Sequence, residues 1–129
     1  MLKCATATIC NVIQQQHSLP PTLDSLMIPW IALGSAQIPN NGGELKFSRR
    51  GDEFSIRLSG IRGELMNSRV FNSEEVLSQL GCAHIKTADK AQVLVGGLGM
   101  GYTLASALNN VNATATVTVA ELIPEVVTW

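Results

Sequence analysis

The sequence predicts an α/β fold in which an N-terminal antiparallel β-meander precedes a βαβ unit with a parallel sheet. Apolar and polar residues alternate over short stretches between residues 28 and 65, as in the run FSIRL at residues 54–58, which is typical of half-buried strands. The mostly apolar run AQVLV at residues 91–95 indicates a buried strand and leads directly into a glycine-rich turn. Leu104, Ala107, Leu108 and Val111 then recur at helical spacing, and a second strand is predicted at residues 116–120.

The composition is that of a folded chain with few charges. Hydrophobic residues make up 46% and charged residues 15% of the 129 residues. The charged fraction is below the roughly 25% usual in globular proteins, and the two figures together exclude intrinsic disorder. A net charge of −1 argues against nucleic acid or a membrane surface as a partner. No run approaches the roughly 20 apolar residues of a membrane span.

Cysteine and histidine usage indicates a reducing, cytoplasmic compartment and no metal site. Cys4, Cys10 and Cys82 are odd in number and form no CxxC pair, so a disulfide framework is not expected. With only His17 and His84 beside them, no zinc ligand set can be assembled. The N-terminal stretch is too weakly apolar for a signal peptide and lacks a small-residue cleavage site, which disfavours export.

The sequence divides into three parts. Residues 1–26 are expected to be a weakly ordered extension, because prolines at positions 20 and 21 deny both helix and strand. Residues 27–70 form the β-meander, with turns at NNGG (residues 40–43) and RRGD (residues 49–52). Residues 71–129 begin with a helix that Ser73 caps and that buries Val76, Leu77 and Leu80, and they continue as the βαβ unit. Pro124 is typical of the first turn of a further helix.

The glycine-rich turn, GGLGMG at residues 96–101, is the strongest functional signal, because such turns bring backbone N–H groups close to a ligand. A dinucleotide-binding fingerprint needs a third glycine where Tyr102 stands, and the phosphate loop of nucleotide hydrolases needs a lysine there. Both are disfavoured. Gly97, Gly99 and Gly101, with Glu121 at the end of the next strand, match the arrangement expected for S-adenosylmethionine and its relatives, where the acid accepts both ribose hydroxyls. The alternative is a tight turn in which Glu121 caps the helix at Pro124.

Polar residues also cluster where the meander meets the βαβ unit. Asn67, Arg69 and Glu74 are the candidates for a substrate pocket, since such junctions often line one. The alternative is that these residues serve interdomain packing and helix capping.

Two runs, VLVGGLGMG at residues 93–101 and VTVAELIPEVV at residues 117–127, resemble those of spermidine synthase-like proteins. The runs IPW (residues 28–30), RGDEF (residues 50–54) and ELMNSR (residues 64–69) are similar to the small N-terminal β domain of that family. The resemblance covers residues 27–129. It implies that the chain contains the small β domain and the first βαβ unit of a Rossmann-like, class I methyltransferase sheet.

The resemblance also implies a donor and a reaction. The donor is S-adenosylmethionine or its decarboxylated form, and the residues that would bind it are Gly96, Gly97, Gly99, Gly101 and Glu121. The reaction is transfer of an alkyl group, methyl or aminopropyl, to a small amine-like nucleophile. Aminopropyltransferases carry an aspartate inside the glycine loop, which is absent here, and a catalytic aspartate in a later motif. We therefore expect a truncated form that lacks a catalytic residue and is inactive alone.

A second functional class stays open, a non-catalytic interaction module completed by self-association. The strand at residues 116–120 is expected to have an open edge without lysine or proline, which favours pairing with another chain. Exposure of Val95, Leu104, Val117 and Val119 is expected to add to this tendency. The prediction is a homo-oligomer.

Overall fold

The computed structural model describes residues 28–129 and the backbone of residues 3–5. Its larger sheet is an antiparallel meander of four strands, each hydrogen-bonded to the next along the chain. The strands are β2 (Ile31–Gln37), β3 (Glu44–Arg50), β4 (Glu53–Leu58) and β5 (Met66–Asn67). This confirms the predicted meander and adds the short strand β5, which pairs Asn67 with Ser55 and Met66 with Ile56.

Turn chemistry explains the first hairpin. Asn40, Asn41 and Gly43 have φ values of 58°, 60° and 97°, the left-handed region that asparagine and glycine tolerate best. A bulge between Ala32 and Gly34 shifts the register of β2 against β3. It changes which residues of β2 face inward. Ala36 is buried, whereas Ile31 and Leu33 are exposed.

The second sheet has three strands in the order β1-β7-β6. Strands β6 (Gln92–Gly96) and β7 (Thr116–Glu121) are parallel, and Val95 lies opposite Val119. Strand β1 (Lys3–Ala5) pairs antiparallel with β7, so Ala5 is opposite Val119 on the other side. The edge predicted to be open along residues 116–120 is therefore occupied in part, because β1 pairs with residues 119–121 of β7.

Helix α2 (Tyr102–Asn109) packs on one face of this sheet, and α1 (Asn72–Cys82) packs against α2. The core on this face contains Cys82, Ala107 and four residues that were expected to be exposed. These four are Val95, Leu104, Val117 and Val119. A 3₁₀ turn (Ala83–Ile85) follows α1, and α3 (Pro124–Thr128) ends the chain. On the opposite face of the sheet, Leu94 is 70% exposed.

Helix α1 is oriented differently from the prediction. Phe71, not Ser73, is its N-cap residue, and the Ser73 hydroxyl donates to the Glu74 carboxylate instead. The buried side chains are Ser78 and Cys82, whereas the predicted apolar stripe of Val76, Leu77 and Leu80 is exposed.

Short polar side chains explain this orientation, because they let α1 and α2 approach closely while their hydroxyl groups satisfy carbonyls of the facing helix. The Ser78 hydroxyl donates to the Thr103 carbonyl at 2.7 Å, and the Ser106 hydroxyl donates to the Glu75 carbonyl at 3.0 Å. Residue pattern alone does not reveal these two bonds.

One core joins the meander to the βαβ unit. Ala36, Leu45 and Ile56 of the meander pack with Ile123 and Val126, which follow β7. Leu98 and Met100 of the glycine-rich turn, and Trp129, pack against the same cluster. The glycine-rich turn thus lies at the junction of the two sheets.

Candidate functional site

The glycine-rich turn (residues 96–101, called the glycine loop below) connects β6 to α2 in a conformation that depends on glycine. Gly97, Gly99 and Gly101 have φ values of 89°, 55° and 82°. A Cβ atom built on Gly96, Gly97 or Gly101 would meet no atom of the described residues within 4 Å. The space beside these three glycines is therefore open to a ligand. At Gly99, by contrast, a Cβ would lie 2.9 Å from Met66 Sδ, so β5 approaches the loop there.

Glu121 lies at the end of β7 and contacts the glycine loop through its carboxylate. The Leu98 N–H donates to Oε2 at 2.6 Å, and the Ile123 N–H donates to Oε1 at 2.9 Å. The carboxylate thus contacts both the glycine loop and the backbone N–H of Ile123 just before α3. Because a carboxylate offers about four acceptor positions, it keeps capacity for further donors.

An open cleft of about 190 Å³ lies between the glycine loop, β5 and the first turns of α1 and α2. This volume is below the roughly 300–1,000 Å³ typical of enclosed small-molecule sites, so a ligand of nucleoside size would extend beyond it into solvent. The cleft is lined by Met66, Asn67, Glu74, Gly96, Gly97, Leu98, Gly99, Met100, Tyr102 and Thr103.

The cleft brings together five residues that the sequence analysis singled out, Gly96, Gly97, Gly99, Asn67 and Glu74. Gly101 and Glu121 support the loop without lining the cleft. The cleft also contains Met66, Met100 and Thr103, which no sequence pattern marked. Thr103 could have been found, because it is the second residue of the predicted helix that follows the loop. No local pattern shows that β5 packs against the loop.

Arg69, the third candidate pocket residue, does not line the cleft. Its guanidinium donates to Glu53 at 2.8 Å and to Glu64 at 2.5 Å. Arg50 bonds the same Glu53 carboxylate at 2.7 Å and lies 4.7 Å from the centroid of the Trp30 ring. Arg69 thus belongs to an ion-pair cluster within the meander.

Tyr102 lines the cleft and packs against Phe71, the residue that precedes α1. Their rings stack with centroids 4.4 Å apart and an interplanar angle of 13°. Burial raises the pKa of the Tyr102 hydroxyl, and the negative charge of Glu74 raises it further. The hydroxyl therefore stays protonated at neutral pH and can act as a donor.

The electrostatic character of the cleft is acidic. Among its ten lining residues Glu74 is the one with a charged side chain, and no lysine, arginine or histidine is present. A phosphate group needs compensating positive charge, which this cleft does not offer. The cleft therefore favours a neutral or cationic ligand over a nucleoside phosphate.

Comparison with protein-family models, with curated proteins and with solved structures found no match. No helix in the described part of the chain has the length and hydropathy needed to cross a membrane. In the same part, no three His, Cys, Asp or Glu side chains converge as metal ligands would.

Proposed function

We propose that the cleft binds an S-adenosyl nucleoside and that the chain is a spermidine synthase-like transferase, or a portion of one, that passes an alkyl group to a small nucleophile. On this proposal the βαβ unit is the first unit of a Rossmann-like methyltransferase sheet. The observation that carries the proposal is the hydrogen bond between the Leu98 N–H and the Glu121 carboxylate. It holds a strand-end acid against a glycine loop whose outer side is open.

The residues present fit such a ligand in three ways. The open space beside Gly96 and Gly97 leaves room for the nucleoside. Glu121 lies beside the loop and outside the cleft lining, so its free acceptor positions would suit the two ribose hydroxyls where the nucleoside extends beyond the cleft. The single charge of the cleft, on Glu74, suits a positively charged donor. An S-adenosyl sulfonium supplies an electrophilic carbon when bound, and the chain contributes binding, orientation and an acidic environment.

Calorimetric titration tests the proposal with three ligands: S-adenosylmethionine, methylthioadenosine and ATP with Mg²⁺. We expect saturable binding of the first two at one site and none of ATP. Glu121→Gln removes a charge-assisted acceptor worth about 1.5–3 kcal/mol, so it should weaken both nucleosides by about tenfold or more. Glu125→Gln is the matched control, because Glu125 is an exposed acid of α3.

Three results would overturn this assignment: tighter binding of ATP with Mg²⁺, no binding of either nucleoside, or equal binding by wild type and Glu121→Gln. Circular dichroism of each variant checks that the fold is retained.

The second candidate function, an interaction module completed by self-association, is favoured by a different observation. Strand β6 has one hydrogen-bonded neighbour, β7, among the residues described, so its other edge offers free backbone groups. Its sequence QVLVG carries no charge, and antiparallel pairing with a second copy about Leu94 would oppose no like charges. Such pairing would also place the exposed Leu94 side chains of the two copies next to each other.

A further inference from the structure

Asn67 is held in one orientation at the edge of the cleft. Its Oδ1 atom accepts the N–H groups of Arg69 at 2.9 Å and of Val70 at 3.0 Å, which closes a local turn after β5. These two bonds assign the amide oxygen, so the Nδ2 group is the remaining polar end of the side chain. Within residues 28–129, Nδ2 has no hydrogen-bond acceptor, and Asn67 lines the cleft.

The glycine loop adds donors to the same cleft. The N–H of Gly97 donates to the Ala120 carbonyl, that of Leu98 to Glu121, and that of Gly101 to the Leu98 carbonyl. The N–H groups of Gly99 and Met100 find no acceptor in the described part of the chain, and both residues line the cleft. Asn67 of β5 and the N–H groups of the glycine loop therefore offer uncharged donors to one ligand.

Glu74 supplies a negatively charged hydrogen-bond acceptor to the same cleft. It lies in the first turn of α1, lines the cleft, and receives the Ser73 hydroxyl at Oε2. Its Oε1 atom accepts no hydrogen bond from the described side chains. The cleft therefore offers a carboxylate to a cationic group and amide-type donors to an anionic one.

An α-amino-acid group carries this pair of charges, an ammonium and a carboxylate on one carbon. We propose that the cleft recognises the amino-acid tail of intact S-adenosylmethionine, with Asn67 Nδ2 and the loop N–H groups binding its carboxylate and Glu74 binding its ammonium. This inference rests on the proposed function and deepens it. It makes Asn67 the residue that distinguishes the intact donor from the decarboxylated one, and it favours methyl transfer over aminopropyl transfer.

The decisive variant is Asn67→Asp. It preserves an oxygen acceptor for the Arg69 and Val70 N–H groups, so the turn is retained, and it replaces the Nδ2 donor with a negative oxygen. The aspartate would repel a ligand carboxylate and attract an ammonium. Asn109→Asp is the control for net charge, because Asn109 is exposed at the other end of α2.

Calorimetric titration would use S-adenosylmethionine, decarboxylated S-adenosylmethionine and methylthioadenosine, which lacks the amino-acid tail. Wild type should bind the intact donor about tenfold tighter than the decarboxylated one, since charge-assisted hydrogen bonds have this magnitude. Asn67→Asp should reverse this preference and leave methylthioadenosine unchanged. Asn109→Asp should change none of the three affinities.

Glu74→Gln provides a second test if Asn67→Asp does not fold, as judged by thermal melting. It should weaken both tail-bearing nucleosides by about tenfold and spare methylthioadenosine. If wild type binds none of the nucleosides, the proposed function itself is overturned. If wild type binds them all and neither variant changes their relative affinities, the assignment of the tail is overturned while the proposed function stands.

Discussion

The indole ring of Trp129 stacks on the phenyl ring of Phe47, with centroids 5.2 Å apart and planes inclined by 16°. Phe47 also stacks on Phe54 of the neighbouring strand at 5.8 Å. The stack joins the residue after α3 to the centre of the meander. The indole also lies beside Gly34 of β2. A Cβ atom at Gly34 would come within 2.8 Å of its Nε1 atom.

Gly34 and Trp129 should therefore be energetically coupled. Trp129→Ala should lower the free energy of unfolding by about 2–3 kcal/mol, since the indole is half-buried. Gly34→Ala should cost about 1–3 kcal/mol in the presence of the indole, because the added methyl overpacks the site. In the Trp129→Ala background the same change should be close to neutral. Urea unfolding of the four proteins measures the coupling, and additive effects would contradict the contact.

Two glycines with different surroundings should respond oppositely to alanine. Gly99 has a φ of 55°, and its Cβ would lie 2.9 Å from Met66 Sδ, so Gly99→Ala should cost about 1–2 kcal/mol. Gly81 lies within α1, and its Cβ would have no neighbour within 4 Å, so Gly81→Ala should stabilise by about 0.5–1 kcal/mol. Urea midpoints compare the pair. A stabilising Gly99→Ala would mean that the loop does not have this conformation.

Glu121 should contribute to stability as well as to ligand binding. Glu121→Ala leaves the Leu98 and Ile123 N–H groups without their acceptor, which should lower the free energy of unfolding by about 2–3 kcal/mol. Glu121→Gln keeps an oxygen acceptor for one of these two N–H groups and turns its NH2 group toward the other, so it should cost less than Glu121→Ala but still be destabilising. Unfolding in urea without ligand separates this structural effect from binding, and equal losses in the two variants would argue against the described hydrogen bonds.

Glu53 makes stability depend on acidic pH. The Arg50 guanidinium lowers the pKa of Glu53 below its ordinary value of 4.5, burial opposes this, and Arg69 lowers it further. The ionised form is therefore favoured by folding. Its contribution is complete above pH 4.5 and is lost as the pH falls through the lowered folded-state pKa.

Glu53→Gln should accordingly flatten the fall of the unfolding free energy below pH 4.5. Asp52→Asn, at an exposed carboxyl in the adjoining turn, is the control and should leave the slope close to that of wild type. Denaturant unfolding at several acidic pH values gives the slopes, and identical slopes for all three proteins would show that the Glu53 ion pairs contribute nothing to folding.

The free edge of β6 should govern self-association. Leu94→Lys places a charge on an edge strand at a residue that is 70% exposed, which should raise the dimer dissociation constant by about tenfold or more. Leu122→Lys is the matched control, since Leu122 is also a highly exposed leucine and lies outside β6. Sedimentation at several concentrations measures both. A wild-type monomer at every concentration would remove the second candidate function.

Local patterns predicted the elements better than their faces. Alternation located β3 and β4, turn residues located the first hairpin, and glycine spacing placed the loop between β6 and α2. These signals depend on backbone preferences of neighbouring residues, which sequence contains directly. The proximity of Glu121 to the loop followed in the same way, since a strand-end residue lies beside the turn of its parallel neighbour.

The errors arose where distant residues decide the outcome. The face that α1 buries depends on two hydrogen bonds between α1 and α2, each donated by a serine hydroxyl of one helix to a carbonyl of the other. The apolar stripe of α1 indicated the wrong face. Arg69 lies outside the cleft because its guanidinium pairs with two glutamates of the meander. The last residues of β7 pair with β1, a segment more than a hundred residues earlier in the chain. None of these contacts has a local signature.

The shared core has a consequence for the rate at which a ligand could enter. The cleft has one wall from β5 and another from the glycine loop, and beneath them Leu98 and Met100 pack on the same cluster as Met66. Because β5 and the glycine loop pack on the same cluster, we expect them not to move apart as two hinged domains do. Association should therefore proceed in a single kinetic phase that rises linearly with ligand concentration, without a plateau from a slow closing step.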